Sequence, residues 1–458
     1  MSKIKKKCKN NAFFLAIIVL LFLVRIIYIS EASSNVPIMD YWRYLNGLVE
    51  KSYNGGVSYS DLCSVNGIHK SPYQLFLFII NVKIFYWNTQ ISMYLGAIVL
   101  FILGIYVYKA TKNLFPENDM LIQIAGAINA LVIFSFGAYE IIAQEFALPS
   151  AIRISAFVIL CQITNKILNR DNIQEFDNYV WLLALYYLLV INLIGGAYSI
   201  GLSVAILIVL VFDFAKNIIK KINFNKWNHI ILIIGLIIGD CIYMHGLEMN
   251  QDGNITGGIL DLIKSFGEGL LVVGGVSIFG SYISLKVAYI TGIIVILIHA
   301  ILLFLYIKRK MYEKTYFPAC LYAYVCVFYG MIFLGRSGFG IDYLLSSRYI
   351  TDSSLAIIAD IIVIVMLVKE ADKRKMMINI LSICTATFIV VGIISTDIKE
   401  INMAPYRKIY DDNLIEIMLN IDQYADEDLG GFQAQSPQQV RDGIEIMKKY
   451  NLGVFRYK

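Results

Sequence analysis

Residues 1–30 read MSKIKKKCKNNAFFLAIIVLLFLVRIIYIS, a lysine-rich lead followed by an apolar run from Ala12 to Ser30. At 1.5 Å per residue, a helix of that length reaches across roughly 30 Å of hydrocarbon. A secretory leader has a shorter apolar stretch closed by a small-x-small cleavage site. No such site closes this one, so it reads as a membrane span. The pattern then recurs over 91–110, 120–138, 150–168, 178–194, 197–214, 229–245, 286–306, 316–335, 349–368 and 376–395. With the first run that makes about eleven transmembrane helices. Two shorter apolar pieces, 75–87 and 269–284, read as interfacial or re-entrant.

Composition agrees. The 458 residues are 58% hydrophobic and only 16% charged, whereas soluble proteins carry roughly 25% charged residues. Too few charges remain to coat the two or three soluble domains such a length would form. Disorder, collagen and a disulfide scaffold are excluded by the same figures. The seven cysteines lie mostly inside apolar runs, where they act as small hydrophobes, and no C-x-x-C spacing is present. The chain is therefore expected to be all-α and polytopic.

The basic residues orient it. Lys109/Lys112, Lys166/Arg170, Lys216/Lys220/Lys221/Lys226, Lys308/Arg309/Lys310/Lys314 and Lys369/Lys373/Arg374/Lys375 join the N-terminal cluster on one side if eleven segments cross. Short basic loops favour the cytoplasm. The expectation is a multi-pass protein of the cytoplasmic (inner) membrane, with a cytoplasmic N-terminus and an external C-terminus. A transmembrane module over 1–395 would carry a long first outer loop, 31–73, with amphipathic helices. A small external tail would follow over 396–458. In the tail, Asp411 or Asp412 could cap a helix that presents Leu414, Ile417, Met418 and Ile421 on one face. Ser436–Pro437 opens another, bearing Val440, Ile444 and Met447, with Gln439 at the capping-box position.

Ionisable groups in spans are expensive, and here they gather at outer ends. Arg25, Arg153, His245, Arg336 and Arg348 lie there, with Glu140 and Glu145 in the turn after the third span. Asp40 and Arg43 open the first loop in PIMDYWRYLNGL; His69 and Lys70 close it. Cations set around a few carboxylates suit a phosphate-bearing lipid, because guanidinium forks grip phosphate oxygens bidentately. Ordinary explanations exist for each. A span-end arginine snorkels to headgroups, Asp40 caps a helix, and Glu140 and Glu145 pair with Arg153 to seal a bundle. Asp240 and His299 lie deeper. Asp352 and Asp360, with Thr351, Ser353 and Ser354, read as hydrogen bonding between helices.

The order of these features resembles the GT-C superfamily of membrane glycosyltransferases. The first span is followed by a long outer loop with an early acid, Asp40 in MDYWRYLNGLVE. The loop closes on a basic–Pro pattern, HKSPYQLFLFIINVKIFYWN at 69–88. SSRYITDSSLAI at 346–357 and QQVRDGIEIMKKYNLGVF at 438–455 look like motifs of bacterial surface-polysaccharide proteins of this type. The resemblance implies inverting transfer of a sugar from a polyprenyl-phosphate-linked donor to a cell-surface glycan or lipid-linked acceptor. One loop carboxylate would be the base. Asp40 matches by position, with Asp61 second and Glu50 third. The pair of adjacent acids seen in the family is reduced to one, since Tyr41 follows Asp40. Arg43, His69, Lys70, Glu140, Glu145, Arg153, His245, Arg336 and Arg348 would bind substrate. No cofactor is required; a divalent metal is compatible, although no ligand cluster argues for one. Partners would be the lipid-linked sugar, the acceptor and membrane lipids, with no nucleic acid.

Two alternatives use the same lipids. A polymerase or ligase tends to carry its key Arg and His in a large late outer loop, and here the late loop, 336–348, is short. A flippase or exporter needs a polar path through the membrane, whereas these charges cluster at one face.

Overall fold

A computed structural model describes residues 11–63, 70–115, 120–169, 173–222, 224, 226–247, 259–336, 339–370 and 375–456, and holds helices with no strand among them. The helices are α1 (Ala12–Ala32), α2 (Pro72–Phe85), α3 (Thr89–Asn113), α4 (Met120–Phe134), α5 (Ala147–Leu168), α6 (Ile173–Leu189) and α7 (Ser199–Ile219). Then follow α8 (Lys226–Met244), α9 (Ile259–Phe279), α10 (Leu285–Lys308), α11 (Phe317–Arg336), α12 (Ile350–Glu370), α13 (Lys375–Leu419) and α14 (Pro437–Lys449). Among the described residues nine stretches are long and apolar enough to cross a membrane, namely α1, α3, α4, α5, α7, α8, α10, α12 and α13 with short flanking turns on three of them. The spans expected at 178–194 and 316–335 are helical, but their described apolar cores, Val180–Ile194 and Phe317–Phe333, are shorter.

Unbroken Ile, Leu and Val make these helices, and the prolines fall where a helix tolerates them or pays for them. Pro149 sits in the first turn of α5, where its missing N–H has no intrahelical partner. Pro405 lies inside α13 and removes one backbone bond. Close approach is set by small residues. Gly292 of α10 lies against the Leu271 carbonyl of α9, and Gly275 of α9 against the Ala288 carbonyl of α10, with no room for a Cβ at either. That pairing is antiparallel.

Polar contacts sort the helix ends into two groups. One end is tied by Lys112 to Asn11 at 3.0 Å, Thr315 to Asn165 at 3.0 Å, Lys220 to Glu313, and Lys314 to Glu370 at 2.5 Å. The other, the tail end, is tied by Ser34 to Asp411 at 3.0 Å, Thr89 to Asn35 at 2.8 Å and the Glu140 amide to Ser347 at 3.1 Å. α2 starts beside Lys70, which bonds carbonyls at the end of α8, and ends at Phe85, shortly before Asn88 caps the start of α3. α9 follows α8 and ends where its Ile278 carbonyl accepts from Thr396 at 3.2 Å.

α13 is 45 residues long, about 68 Å at the helical rise, so it runs on past the bundle core it shares at Ala404 and brings Leu414 and Met418 to a second core. The domain boundary expected between 395 and 396 falls inside it. Asp411 and Asp412 cap nothing. They lie mid-helix, and Ser34 at the end of α1 donates its N–H to Asp411 and its hydroxyl to Asp412 at 2.5 Å. A tertiary partner takes the carboxylates that local sequence offers to a helix start.

The tail and the first loop share one hydrophobic core apart from the bundle core. Val36, Tyr41, Trp42, Leu45 and Val49 of the loop meet Leu75, Phe78 and Val82 of α2, and Met418, Phe432, Val440, Ile444 and Met447 of the tail. Trp42 is fully buried, its ring edge-on to Phe432 at 5.2 Å, and it donates from Nε1 to the Pro37 carbonyl at 3.1 Å. Gly443 of α14 lies flat under the indole, where a Cβ would come within 2.7 Å of the ring. Burying such a side chain, roughly 200 Å² at about 25 cal/mol per Å², contributes on the order of 5 kcal/mol. α14 itself begins at Pro437, after Ser436 accepts the Gln439 N–H at 3.3 Å. The Gln439 carboxamide reaches back to the Gln435 N–H at 3.1 Å.

Candidate functional site

The tail end holds a cavity of about 170 Å³. Six segments distant in sequence wall it. The first loop supplies Met39 and Asp40, the start of α2 supplies Tyr73 and Gln74, and the turn after α4 supplies Glu140. Arg153 of α5, the 194–198 turn, Arg348 and Asp352 complete it.

Asp40 occupies the N-cap position of a short helix, Tyr41–Tyr44, yet its side chain caps nothing. It lies 3.5 Å from Arg43 and keeps about a third of its surface (37% exposed). The neighbouring Met39 has φ +66°, a left-handed conformation costly for a residue with a long side chain. Its N–H donates to the Phe432 carbonyl at 2.9 Å. The tail therefore holds the turn that aims Asp40.

Glu140 is fixed by donors from the end of the late loop. Its Oε2 accepts from Ser346 at 2.6 Å, Ser347 at 2.9 Å and the Arg348 N–H at 3.1 Å. The Arg348 side chain is 3.7 Å from the same oxygen and donates from Nε to Ser346 at 2.8 Å. Its Nη groups make no hydrogen bond to a described residue. Arg153 is committed to Asp352, Nη1 to Oδ1 at 2.6 Å and Nη2 to Oδ2 at 2.8 Å, and both are buried. Tyr324 also donates to Asp352, and the Tyr198 ring covers the guanidinium at 4.1 Å. Gly196, at φ +55°, brings the turn bearing Tyr198 against Ser71, where a Cβ would sit 2.8 Å from the hydroxyl. Three carboxylates and two guanidinia thus line the cavity, largely paired among themselves.

A second cavity of about 360 Å³ shares Met39 and Glu140 with the first. Tyr139, Tyr406, Tyr410, Arg407 and Gln433 line it, with Arg407 stacked on Tyr139 at 3.4 Å and ion-paired to Glu400. Its wall is aromatic and amide-rich.

No family model matches this sequence, and no curated protein matches it. The site rests on its own geometry.

Of the residues singled out from sequence, Asp40, Glu140, Arg153 and Arg348 converge on the first cavity. Arg43 flanks it through Asp40. Lys70 stands beside it, spending its ammonium on the Tyr243 carbonyl at 3.2 Å and the His245 carbonyl, while the His245 residue is exposed. Glu145 faces away, into a separate apolar cavity. It accepts from Trp87 Nε1 at 2.6 Å and Asn81 Nδ2 at 3.1 Å, and burial pushes its carboxyl up to about 8. Neither Glu140 nor Glu145 pairs with Arg153, because Asp352 of α12 reaches it instead, beside α11, which packs on both helices. Arg336 ends α11 with its side chain outside the described residues, and His69 lies outside them altogether.

The other loop acids serve the loop. Asp61 closes a capping box with Ser58 and pairs with Lys51 at 2.5 Å. The Lys51 hydrogen bond, then those of Ser58, hold its carboxyl well below the usual range. Glu50 pairs with Lys449 at 2.9 Å. Among the described residues no three His, Cys, Asp or Glu come together as a metal site would need. Asp352, Tyr73, Gln74 and Tyr198 were not expected in the wall. A Gly195–Gly196 pair interrupting an apolar run marks the turn that brings Tyr198 there.

Proposed function

We propose that the protein is a polytopic membrane glycosyltransferase of GT-C type, moving a sugar from a polyprenyl-phosphate-linked donor to a cell-surface glycan or other acceptor outside the membrane. The observation that carries this is Asp40, a partly exposed loop carboxylate with no capping duty, which lines the first cavity next to Met39, a residue that cavity shares with the second. The acceptor hydroxyl attacks the anomeric carbon from the face opposite the lipid phosphate. The C–O bond to phosphate breaks, the phosphate leaves with the bonding pair, and the hydroxyl proton passes to Asp40. One displacement inverts the anomeric centre. A placed base supplies about 10²–10⁴-fold, and fixed charges stabilise the leaving phosphate. Of the two cavity guanidinia Arg153 is taken by Asp352, so Arg348, whose Nη groups bond no described residue, is the cation left for that charge, while Arg43 lies 3.5 Å from Asp40. The aromatic cavity beyond Glu140 suits an acceptor glycan, whose apolar sugar faces stack on tyrosine rings.

The orientation belongs to the same proposal. Eleven helices cross, α2 and α9 start and end on the tail side, the N-terminus is cytoplasmic and the tail is external. Support comes from the basic residues at the end opposite the tail, including Lys112, Lys166, Lys220, Lys308, Lys314 and Lys369.

The test is Asp40→Asn, scored by surface-glycan composition in cells retaining normal levels of the folded protein. Loss of one sugar or branch is expected. An unchanged glycan would remove Asp40 as the base.

A further inference from the structure

Beneath the first cavity lies a smaller one of about 30 Å³, which shares Ile141, Ser150 and Thr351 with it. Its walls are otherwise mostly aliphatic, and Arg25 of α1 is the one charged side chain lining it. Arg25 is only 4% exposed, and its Nε and Nη1 are buried with no hydrogen-bond partner. The Phe134 ring lies 5.8 Å away, and Tyr28 and Asp397 are near enough to interact electrostatically, but among the described residues none hydrogen-bonds the guanidinium. The nearby acids are occupied elsewhere. Asp397 accepts from the Phe136 N–H at 2.7 Å and from Ser135 at 2.9 Å without reaching Arg25 in an ion pair. Tyr28 donates to Glu400, which Arg407 neutralises.

A buried guanidinium with no ion pair or hydrogen bond of its own is costly. Arg153 and Arg348 each have their carboxylate, so the missing anion is missing at Arg25 alone among the three. We propose that Arg25 is an anion site for a phosphate group, entering from the cavity above through the neck between Ser150 and Thr351. The two hydroxyls line the way in and can donate to phosphate oxygens. The space holds about two water-sized groups, enough for two phosphate oxygens against Arg25 with the rest of the group in the neck, and too little for a sugar. A sugar phosphate would lodge its phosphate here and keep its sugar in the larger cavity beside Asp40. The assignment does not require Asp40 to be a base, so each can fail without the other.

The chemistry recognised is a phosphate monoester or diester, carried by a lipid or free in solution. The experiment is thermal unfolding of the full chain in detergent with inorganic phosphate, with farnesyl phosphate, or with matched chloride. Wild type gains several degrees with a phosphate probe, since a ligand that binds only the folded state raises its melting point. A response to both probes marks a site for free phosphate; a response to farnesyl phosphate alone marks a lipid-borne group. Arg25→Met loses the gain while its unliganded melting point is unchanged or higher, because an uncompensated charge has gone. Arg25→Lys keeps a charge without the fork and retains a weaker gain; it decides the matter if the methionine variant does not fold. The proposal is overturned if neither probe shifts wild type, if Arg25→Met keeps the full gain, or if Arg25→Lys responds as wild type does.

Discussion

Arg153 and Asp352, 199 residues apart in sequence, meet fork to fork inside the bundle at 2.6 and 2.8 Å, capped by Tyr198 and Tyr324. Both side chains are almost wholly buried. Removing one partner strands the other's charge, so Asp352→Asn or Arg153→Ala should cost about 3–5 kcal/mol. Replacing both with apolar residues of similar volume should recover most of that loss. Thermal unfolding of the two single variants and the double variant in detergent checks it.

The loop–tail core predicts a coupling. Trp42→Ala and Phe432→Ala should each cost about 3–5 kcal/mol, with a double-mutant interaction energy of about 0.5–3 kcal/mol because the rings touch. Either variant also loosens the turn that aims Asp40, since Met39 hangs from the Phe432 carbonyl. Activity should therefore fall at temperatures where the bundle stays folded. Circular dichroism beside transfer activity separates the two effects.

Glu145 predicts a pH dependence with a definite sign. Burial raises its folded carboxyl to about 8, above the roughly 4.3 of an unfolded chain. A raised carboxyl favours the folded state fully below the unfolded value, and that contribution is lost as pH rises through the folded one. Wild-type stability should fall between about pH 5 and 8 for this group. Glu145→Gln should flatten that part of the profile, read as melting temperature against pH.

The three loop acids should separate cleanly. Asp61 and Glu50 hold surface partners. Asp61→Asn and Glu50→Gln should leave glycan composition unchanged, whereas Asp40→Asn should not. A loss with Asp61→Asn in folded protein would move the base along the loop.

Much of this was legible from sequence because it is local. Apolar runs write the spans, and charge placement brought Asp40, Glu140, Arg153 and Arg348 to one end before their contacts were known. What was not legible is pairing at a distance. Arg153 could have met either glutamate of the outer turn, and only the assembled bundle, with α11 packed on both α5 and α12, gives it Asp352. Asp411 and Asp412 carry the signature of a helix start, and nothing near them in sequence announces Ser34. Trp42 reads as an interfacial belt residue because its partners, Phe432 and Gly443, lie almost four hundred residues on. Arg25 looks like any span-end arginine until its missing partner is seen.

The most direct measurement is sugar transfer by the full chain reconstituted in liposomes, using farnesyl-phosphate-linked hexoses as donors and host surface glycan as acceptor. Wild type should form a product with inverted anomeric configuration. Asp40→Asn, folded to the same melting temperature, should be slower by about 10²–10⁴-fold. Equal rates for the two proteins, or a product with retained configuration, would contradict the account.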